Sequence, residues 1–445
     1  MTHIPNRARS LSGALFILLG IGSASFARTA LAQVSRTDTL WLNDLQRDAE
    51  RADQRGAQVA LIAAQSALRL RNIQSEHLPT VTAIGSAQYL SDVARIGAVL
   101  PGVNIPGARN DQYDTYLGVR QPVFDATRKT RIAVEQAQEQ ETQARVRSVV
   151  WQQRAAVSEA FFGVVLRDAQ VKSLDVAISD LEARTKVASR RVSSGVALPS
   201  EALLLTAEIE RRRQSRNELS TDRDASRDVL SALIGRDIPA TAALAVRTVD
   251  MSQAFATYAV GTLRTRPEFA QFERSRSVID ARRAAVLAQD LPKLSAFGRS
   301  GYGRPGLNPL GRNFDAYWTA GVQLEWSAWN WGRTRRDAES QQLQRQIVSS
   351  EESAFREALN RAEITERARI TSLERTLQAD DSIIAMRERI LHETRLRHDE
   401  GEVNSADYVS RLSEELSAQL DRDTHRVRLA ESRARYLTTL GLEVR

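Results

Sequence analysis

The chain has 445 residues, 42% hydrophobic and 26% charged, with a net charge of +7 and no cysteine. That excludes disulfides, thiolate metal sites, thiol catalysis and a lipid-bearing N-terminal cysteine. Five His, at 3, 77, 392, 398 and 425, never fall at paired ligand spacing, so no metal site is expected. The basic residues are 58 Arg and only four Lys, interspersed with 55 acids, the pattern of solvated helix faces rather than of a nucleic-acid surface.

Residues 1–32 read as an export signal. Arg7 and Arg9 precede an apolar run from Leu11 to Ala24, and Ala30-Leu31-Ala32 forms a cleavage site, with Ala27 as a second possibility. The protein is expected to leave the cytoplasm. No later stretch holds the roughly 18–20 apolar residues of a membrane-spanning helix.

Gly and Pro punctuate the rest unevenly. Residues 79–122 and 292–332 hold 12 of the 22 Gly and 7 of the 11 Pro, whereas 333–400 hold neither over 68 positions. Such a run, rich in Ala, Arg, Glu, Gln and Leu, favours helix and would extend roughly 100 Å at about 1.5 Å per residue. Val150, Val157, Val164, Val171 and Ile178 recur every seven residues, with Leu174 and Leu181 between; Ile370, Leu377, Ile384 and Leu391 do the same later. Sustained sevens mean a narrow apolar seam against neighbouring helices.

The chain is a tandem duplication. Leu78-Pro79-Thr80-Val81-Thr82-Ala83-Ile84-Gly85 matches Leu291-Pro292-Lys293-Leu294-Ser295-Ala296-Phe297-Gly298 at an offset of 213. Arg191-x-x-x-Gly195 matches Arg397-x-x-x-Gly401 at 206, as Ile234-Gly235 matches Leu440-Gly441. The first repeat, 33–239, is expected to run as a helix over about 40–77, strands over about 79–90 and 112–124, a long helix over about 125–194, a tip at 195–199 and a helix over 200–234. A connector follows at 240–262. The second repeat, 263–445, gives a helix over 263–290, strands over about 292–303 and 314–327, a long helix over about 332–400, a tip at 401–404 and a helix over 405–440. In each half a long helix would lie beside a stacked shorter pair.

The Gly/Pro windows alternate with period two. Ala316, Trp318, Ala320, Val322, Leu324 and Trp326 alternate with Asp315, Tyr317, Thr319, Gly321, Gln323 and Glu325; Tyr113, Thr115, Leu117 and Val119 alternate with Asp114, Tyr116, Gly118 and Arg120. One apolar face suits a sheet between lipid and water. Trp318, Trp326, Trp329 and Trp331 suit a membrane aromatic girdle. Four strands cannot close a barrel, and in lipid every strand edge must be paired; three chains would give twelve strands.

With Arg266-Pro267-Glu268 opening the second copy, Gln121-Pro122-Val123-Phe124 closing the first hairpin, and Leu233-Ile234-Gly235-Arg236-Asp237-Ile238-Pro239 ending the first copy, the sequence resembles the TolC family of outer-membrane channel proteins over nearly its whole mature length. The resemblance implies a mainly α-helical fold with a small transmembrane β part: a homotrimer with a shared 12-stranded β-barrel in the outer membrane and an α-helical barrel in the periplasm. It implies a passive exit duct of a tripartite efflux or type I secretion system, docking on a periplasmic adaptor (membrane fusion) protein that links it to an inner-membrane pump or ABC exporter. On that reading Gly195, Val196, Ala197, Leu198, Gly401, Glu402, Val403 and Asn404 form the adaptor-contact tip. Asp407 and Glu201, six residues after each glycine, are pore or gate acids. Val403 stands where family members carry a gate-locking Arg, leaving Glu402 and His398 as candidates for holding the mouth closed.

An enzyme is not expected. No nucleophile elbow, P-loop, dinucleotide or metal motif occurs, no cofactor is implied, and Gly301-x-Gly303 with Gly306 leads into Pro309 and strand-like residues rather than a helix. The alternative is an exported coiled-coil structural or adhesin-like protein without a pore, which explains the heptads but not the paired amphipathic windows.

Overall fold

The computed structural model describes residues 39–93, 109–246, 266–309 and 311–442. The expected export signal over 1–32 and residues 247–262 of the expected connector lie outside them.

The protein is mainly α-helical with a small β part. In the first half, β1 (Thr39–Trp41), α1 (Leu42–Ala52) and α2 (Gln58–Ser75) lead to the strands β2 (Thr80–Tyr89) and β3 (Asp111–Asp125). Then come α3 (Thr127–Trp151), α4 (Gln153–Ser193), α5 (Pro199–Ile234) and the short β4 (Ala243–Ala245). The second half has α6 (Pro267–Leu287), β5 (Lys293–Arg304), β6 (Asp315–Glu325), the 68-residue α7 (Arg333–Glu400) and α8 (Ser405–Thr439). The α3–α4 rod packs against α2 and then α5, and α7 packs against α6 and then α8.

Several elements depart from the sequence expectation. The helix expected over 40–77 is broken at Asp53, whose backbone is extended (ψ 114°) and whose Oδ1 accepts the Arg55 N–H at 2.9 Å, starting a 3-10 turn before α2. A short polar side chain competing for backbone donors ends a helix in this way. The rod expected unbroken over 125–194 is interrupted at Gln152. That residue keeps right-handed dihedrals (φ −63°, ψ −20°), and its carbonyl accepts from Ala155 N–H at 3.2 Å, a local tightening without Pro or Gly. The helix expected from 263 begins at Pro267, where a missing N–H is harmless. The strand expected to 327 stops at Glu325, and the Trp326 indole N–H donates to the Asp290 carbonyl at 3.0 Å. The expected connector includes β4, which pairs parallel with β1.

The heptad seam of the first rod is internal: Val157, Val164, Val171, Leu174, Ile178 and Leu181 are buried. Around its midpoint Leu42, Leu45, Phe161, Phe162, Leu230, Ile370, Tyr436 and Leu440 form the main core, with Phe161 and Phe162 edge to face at 5.3 Å. Each such side chain contributes roughly 1.5–3 kcal/mol on burial.

Four strands form one antiparallel sheet in the order β2-β3-β5-β6, with β3–β5 joining the two halves. Pro122, lacking a donor, sits at a bulge that shifts register between Pro122 and Phe124. The register places Val81, Ala83, Leu117, Val119, Leu294, Ala296, Trp318, Ala320, Val322 and Leu324 on one face. The other carries Thr82, Tyr116, Arg120, Arg299, Tyr317, Thr319 and Gln323. Gly301 lies on that polar face beneath two tyrosines; a Cβ there would stand 2.7 Å from Tyr116 Cβ and 2.8 Å from Thr115 O. Backbone cannot yield at that distance. Gly301→Val is therefore expected to disrupt the pairing of β5 with β3 and β6: the β contribution to far-ultraviolet circular dichroism falls while the helical signal stays.

Candidate functional site: the sheet and the helical tip

Two regions stand out, at opposite ends of the long helices. At the tip, α4 and α7 end on Gly195 (φ 73°) and Gly401 (φ 86°). Gly195 N–H donates to Val192 O at 3.0 Å and Val196 N–H to Arg191 O at 2.9 Å; Gly401 N–H donates to His398 O at 3.1 Å and Glu402 N–H to Arg397 O at 2.8 Å. Both turns thus satisfy carbonyls that the helix leaves free. An added Cβ would meet nothing within 4 Å at either glycine, so the requirement is for left-handed backbone rather than for space.

Beyond Gly195, Val196 and Leu198 are exposed (75% and 68%), Ala197 is half-buried, and Pro199 starts α5. Beyond Gly401, Glu402 is exposed and pairs with Arg397 at 3.2 Å, Val403 is half-buried, and Asn404 caps α8 by accepting the Asp407 N–H at 2.9 Å. The two acids placed six residues after the glycines are not equivalent. Asp407 is exposed in the first turn of α8, where its charge complements the helix dipole. Glu201 is half-buried, and its Oε2 accepts from Ser405 Oγ at 3.3 Å across the two hairpins.

That bond belongs to a lock between the two repeats; the sequence offered His398 and Glu201 singly but not the contacts that join them. His398 is buried, with Nε2 3.2 Å from Ser405 Oγ and its ring stacked on Tyr408 at 5.2 Å. The Tyr408 hydroxyl donates to Asp180 on α4, and Arg184 pairs with Asp399. Arg191 donates to the carbonyls of His398, at 3.2 Å, and Asp399. Since Ser405 gives its proton to Glu201, His398 Nε2–H is the donor to Ser405 and Nδ1 carries the lone pair. Among the described residues Nδ1 has no hydrogen-bond partner, and it lies 4.0 Å from Asp399 Oδ1. Burial holds the His398 pKa below its ordinary value; Arg184 and Arg191 push the same way, and Asp399 and Glu201 oppose them.

At the sheet end all four tryptophans are exposed. Trp318 stands on the apolar face of β6, whereas Trp326, Trp329 and Trp331 follow the strand's end, the last two edge to face at 5.7 Å. Below them Asp290 Oδ1 accepts from Asn330 Nδ2 and Thr334 Oγ1, both at 2.7 Å, tying the strand-to-helix turn to the end of α6. Among the described residues no group of three or more acidic or histidine side chains is placed to hold a metal ion, and no helix is long and apolar enough to cross a membrane.

No family model matches the chain, and none of the curated proteins does. Solved structures do. VceC, an outer membrane protein of Vibrio cholerae, superposes with a TM-score of 0.65 at 13% identity, over 91% of this chain and 97% of that one. The MtrE outer membrane channel of Neisseria gonorrhoeae, in its open state, gives 0.63 at 17% identity over 91% and 89%. The CmeC outer membrane channel of Campylobacter jejuni gives 0.63 at 13% over 90% and 85%. The fold is that of the TolC-family outer-membrane efflux channels.

The His398 geometry has a pH consequence. A histidine whose folded pKa is depressed contributes stability above its unfolded value, about 6.5, that is lost as pH falls through the folded value. Amide protection in the Gly401–Ser405 turn, corrected for the intrinsic pH dependence of exchange, should fall as pH drops below about 6.5, and His398→Gln should flatten that dependence.

Proposed function

We propose that three copies assemble into an outer-membrane exit duct, their sheets closing a twelve-stranded barrel and their helices continuing it as a tunnel through the periplasm. The observation that carries this is the four-stranded sheet: its apolar face is exposed from β2 to β6, and β2 and β6 pair with nothing on their outer edges among the described residues. Apolar surface of that extent needs lipid, and strand edges in lipid need partners. Further support comes from α7, where Ile383, Met386 and Ile390 are exposed at helical spacing, a face suited to a neighbouring subunit.

In this assembly Trp318 lies toward one membrane interface and Trp326, Trp329 and Trp331 toward the other. From Trp318 to the strand's end at Glu325 is about 23 Å along the chain, roughly 18 Å of height at a tilt of about 40°, within a barrel's apolar band of about 25 Å. The tip (Gly195, Val196, Ala197, Leu198, Gly401, Glu402, Val403 and Asn404) meets a periplasmic adaptor, with Val196 and Leu198 as its apolar contacts. The adaptor joins the duct to an inner-membrane pump or an ABC exporter of a tripartite efflux or type I secretion system. Nothing reacts inside. The duct is passive, and its energy comes from the inner-membrane partner. Asp407 supplies an acidic ring at the mouth by threefold repetition, favouring cations there, while Glu201 acts in the lock between hairpins. Opening is a small rotation of the mouth helices that exchanges the Arg191, His398 and Glu201 contacts for adaptor contacts.

The purified trimer is expected to conduct in planar bilayers, and Asp407→Asn to lower the cation preference read from reversal potentials in a salt gradient. A protein that inserts no channel overturns the reading. Unchanged selectivity removes Asp407 from the ring.

A further inference from the structure

Arginine in this chain is mostly tied to carboxylates: Arg213 to Glu182 at 2.7 Å, Arg216 to Asp175 at 3.0 Å, Arg422 to Asp381 at 2.6 Å. Among the described residues two arginines on the polar face of the sheet have no carboxylate partner. Arg299 donates from Nε to Thr319 Oγ1 at 3.1 Å and lies 5.5 and 5.7 Å from the Tyr116 and Tyr317 rings. Among the described residues Arg120 reaches only Gln323 Oε1, at 3.5 Å. Arg120 pairs in register with Phe297, so Arg299, two residues on, is its diagonal neighbour, about 7–8 Å away between adjacent strands.

The two side chains share one concavity of about 560 Å³, lined also by Thr82, Phe297, Thr319 and Gln323 and by no carboxylate. Acids of the same face are distant. Asp114 and Asp315 both align with Gly303, four positions or about 13 Å along β5 from Arg299. Glu325 aligns with Lys293, six positions or about 20 Å the other way. Two like charges side by side are unfavourable, and an oxyanion between them relieves the repulsion. Guanidinium forks match phosphate and sulfate geometry, and the Thr82 and Thr319 hydroxyls and the Gln323 amide add donors.

We propose that Arg120 and Arg299 form an anion-binding station on the inner wall of the barrel, taking multivalent oxyanions such as phosphate and sulfate esters. The station rests on the channel reading, because only a closed barrel turns this face toward a solute path; threefold repetition then gives three stations at one level. A permeating polyanion dwells there after passing the mouth, and one added from outside lodges there. The site is separate from Asp407, at the far end of the long helices.

Inorganic tripolyphosphate, added on the extracellular side of single trimers in planar bilayers, is the probe. It is expected to interrupt the current in a concentration-dependent way. R120Q/R299Q should raise the half-blocking concentration by at least about tenfold while conducting normally, which shows that the variant is folded, and D407N should leave the outer block unchanged. A conducting trimer that tripolyphosphate does not block, or blocks equally in R120Q/R299Q, overturns the station and leaves the duct intact. A protein that never conducts removes both.

Discussion

The structure depends on the peptide groups along two strand edges. An unpaired N–H or C=O in hydrocarbon costs several kcal/mol because nothing there replaces water. Among the described residues the β2-β3-β5-β6 sheet ends on both sides in unpaired strand edges and exposes an apolar face. A single chain can satisfy neither condition. In the proposed assembly, closure with identical copies would satisfy both, the β6 edge of one meeting the β2 edge of the next so that cyclic repetition leaves no edge.

The helices divide their surfaces in the same manner. The first rod spends its heptad seam within the chain, where Val157 to Leu181 are buried against the partner helices. Along α7 Ile370 is buried, the positions matching Val157 and Leu174 are the buried acids Glu363 and Asp380, and Ile383, Met386 and Ile390 stand exposed. The α4–α5 and α7–α8 hairpins are joined at the tip by directional bonds: Arg191 to two carbonyls, Ser405 to Glu201, Tyr408 to Asp180. Polar bonds of this kind can be exchanged at small net cost, which suits a mouth that opens, whereas the apolar seam above it holds the rods together.

Local pattern made most of the architecture readable. Period two separated the faces of β3 and β6, period seven marked the rods, and left-handed glycines at matched offsets marked both tips. What stayed hidden depends on contacts between distant segments. Period seven marked the inner seams of both rods, with Leu377 and Leu391 of α7 packed on core clusters, but not the exposed Ile383, Met386 and Ile390 beside them. Arg191 and Arg397 occupy the same motif, yet Arg397 pairs with its own Glu402 while Arg191 crosses to the other hairpin. Glu201 and Asp407 differ for the same reason. The strands β1 and β4, three residues each, are too short to show a period. Arg120 and Arg299 read as ordinary polar alternation until the β3–β5 register made them neighbours.

The absence of cysteine allows the central claim to be tested by cross-linking. Ser86→Cys on β2 is combined in one chain with a cysteine at Tyr317, Thr319, Gly321 or Gln323 on β6, all on the polar face. Within one chain two strands intervene, which at about 4.8 Å per spacing puts the pair roughly 14 Å apart, beyond disulfide reach. Oxidation in native membranes is expected to give covalent trimers for at least one pairing, reverting to monomers with reductant. Monomers throughout the series would mean that the two open edges never meet.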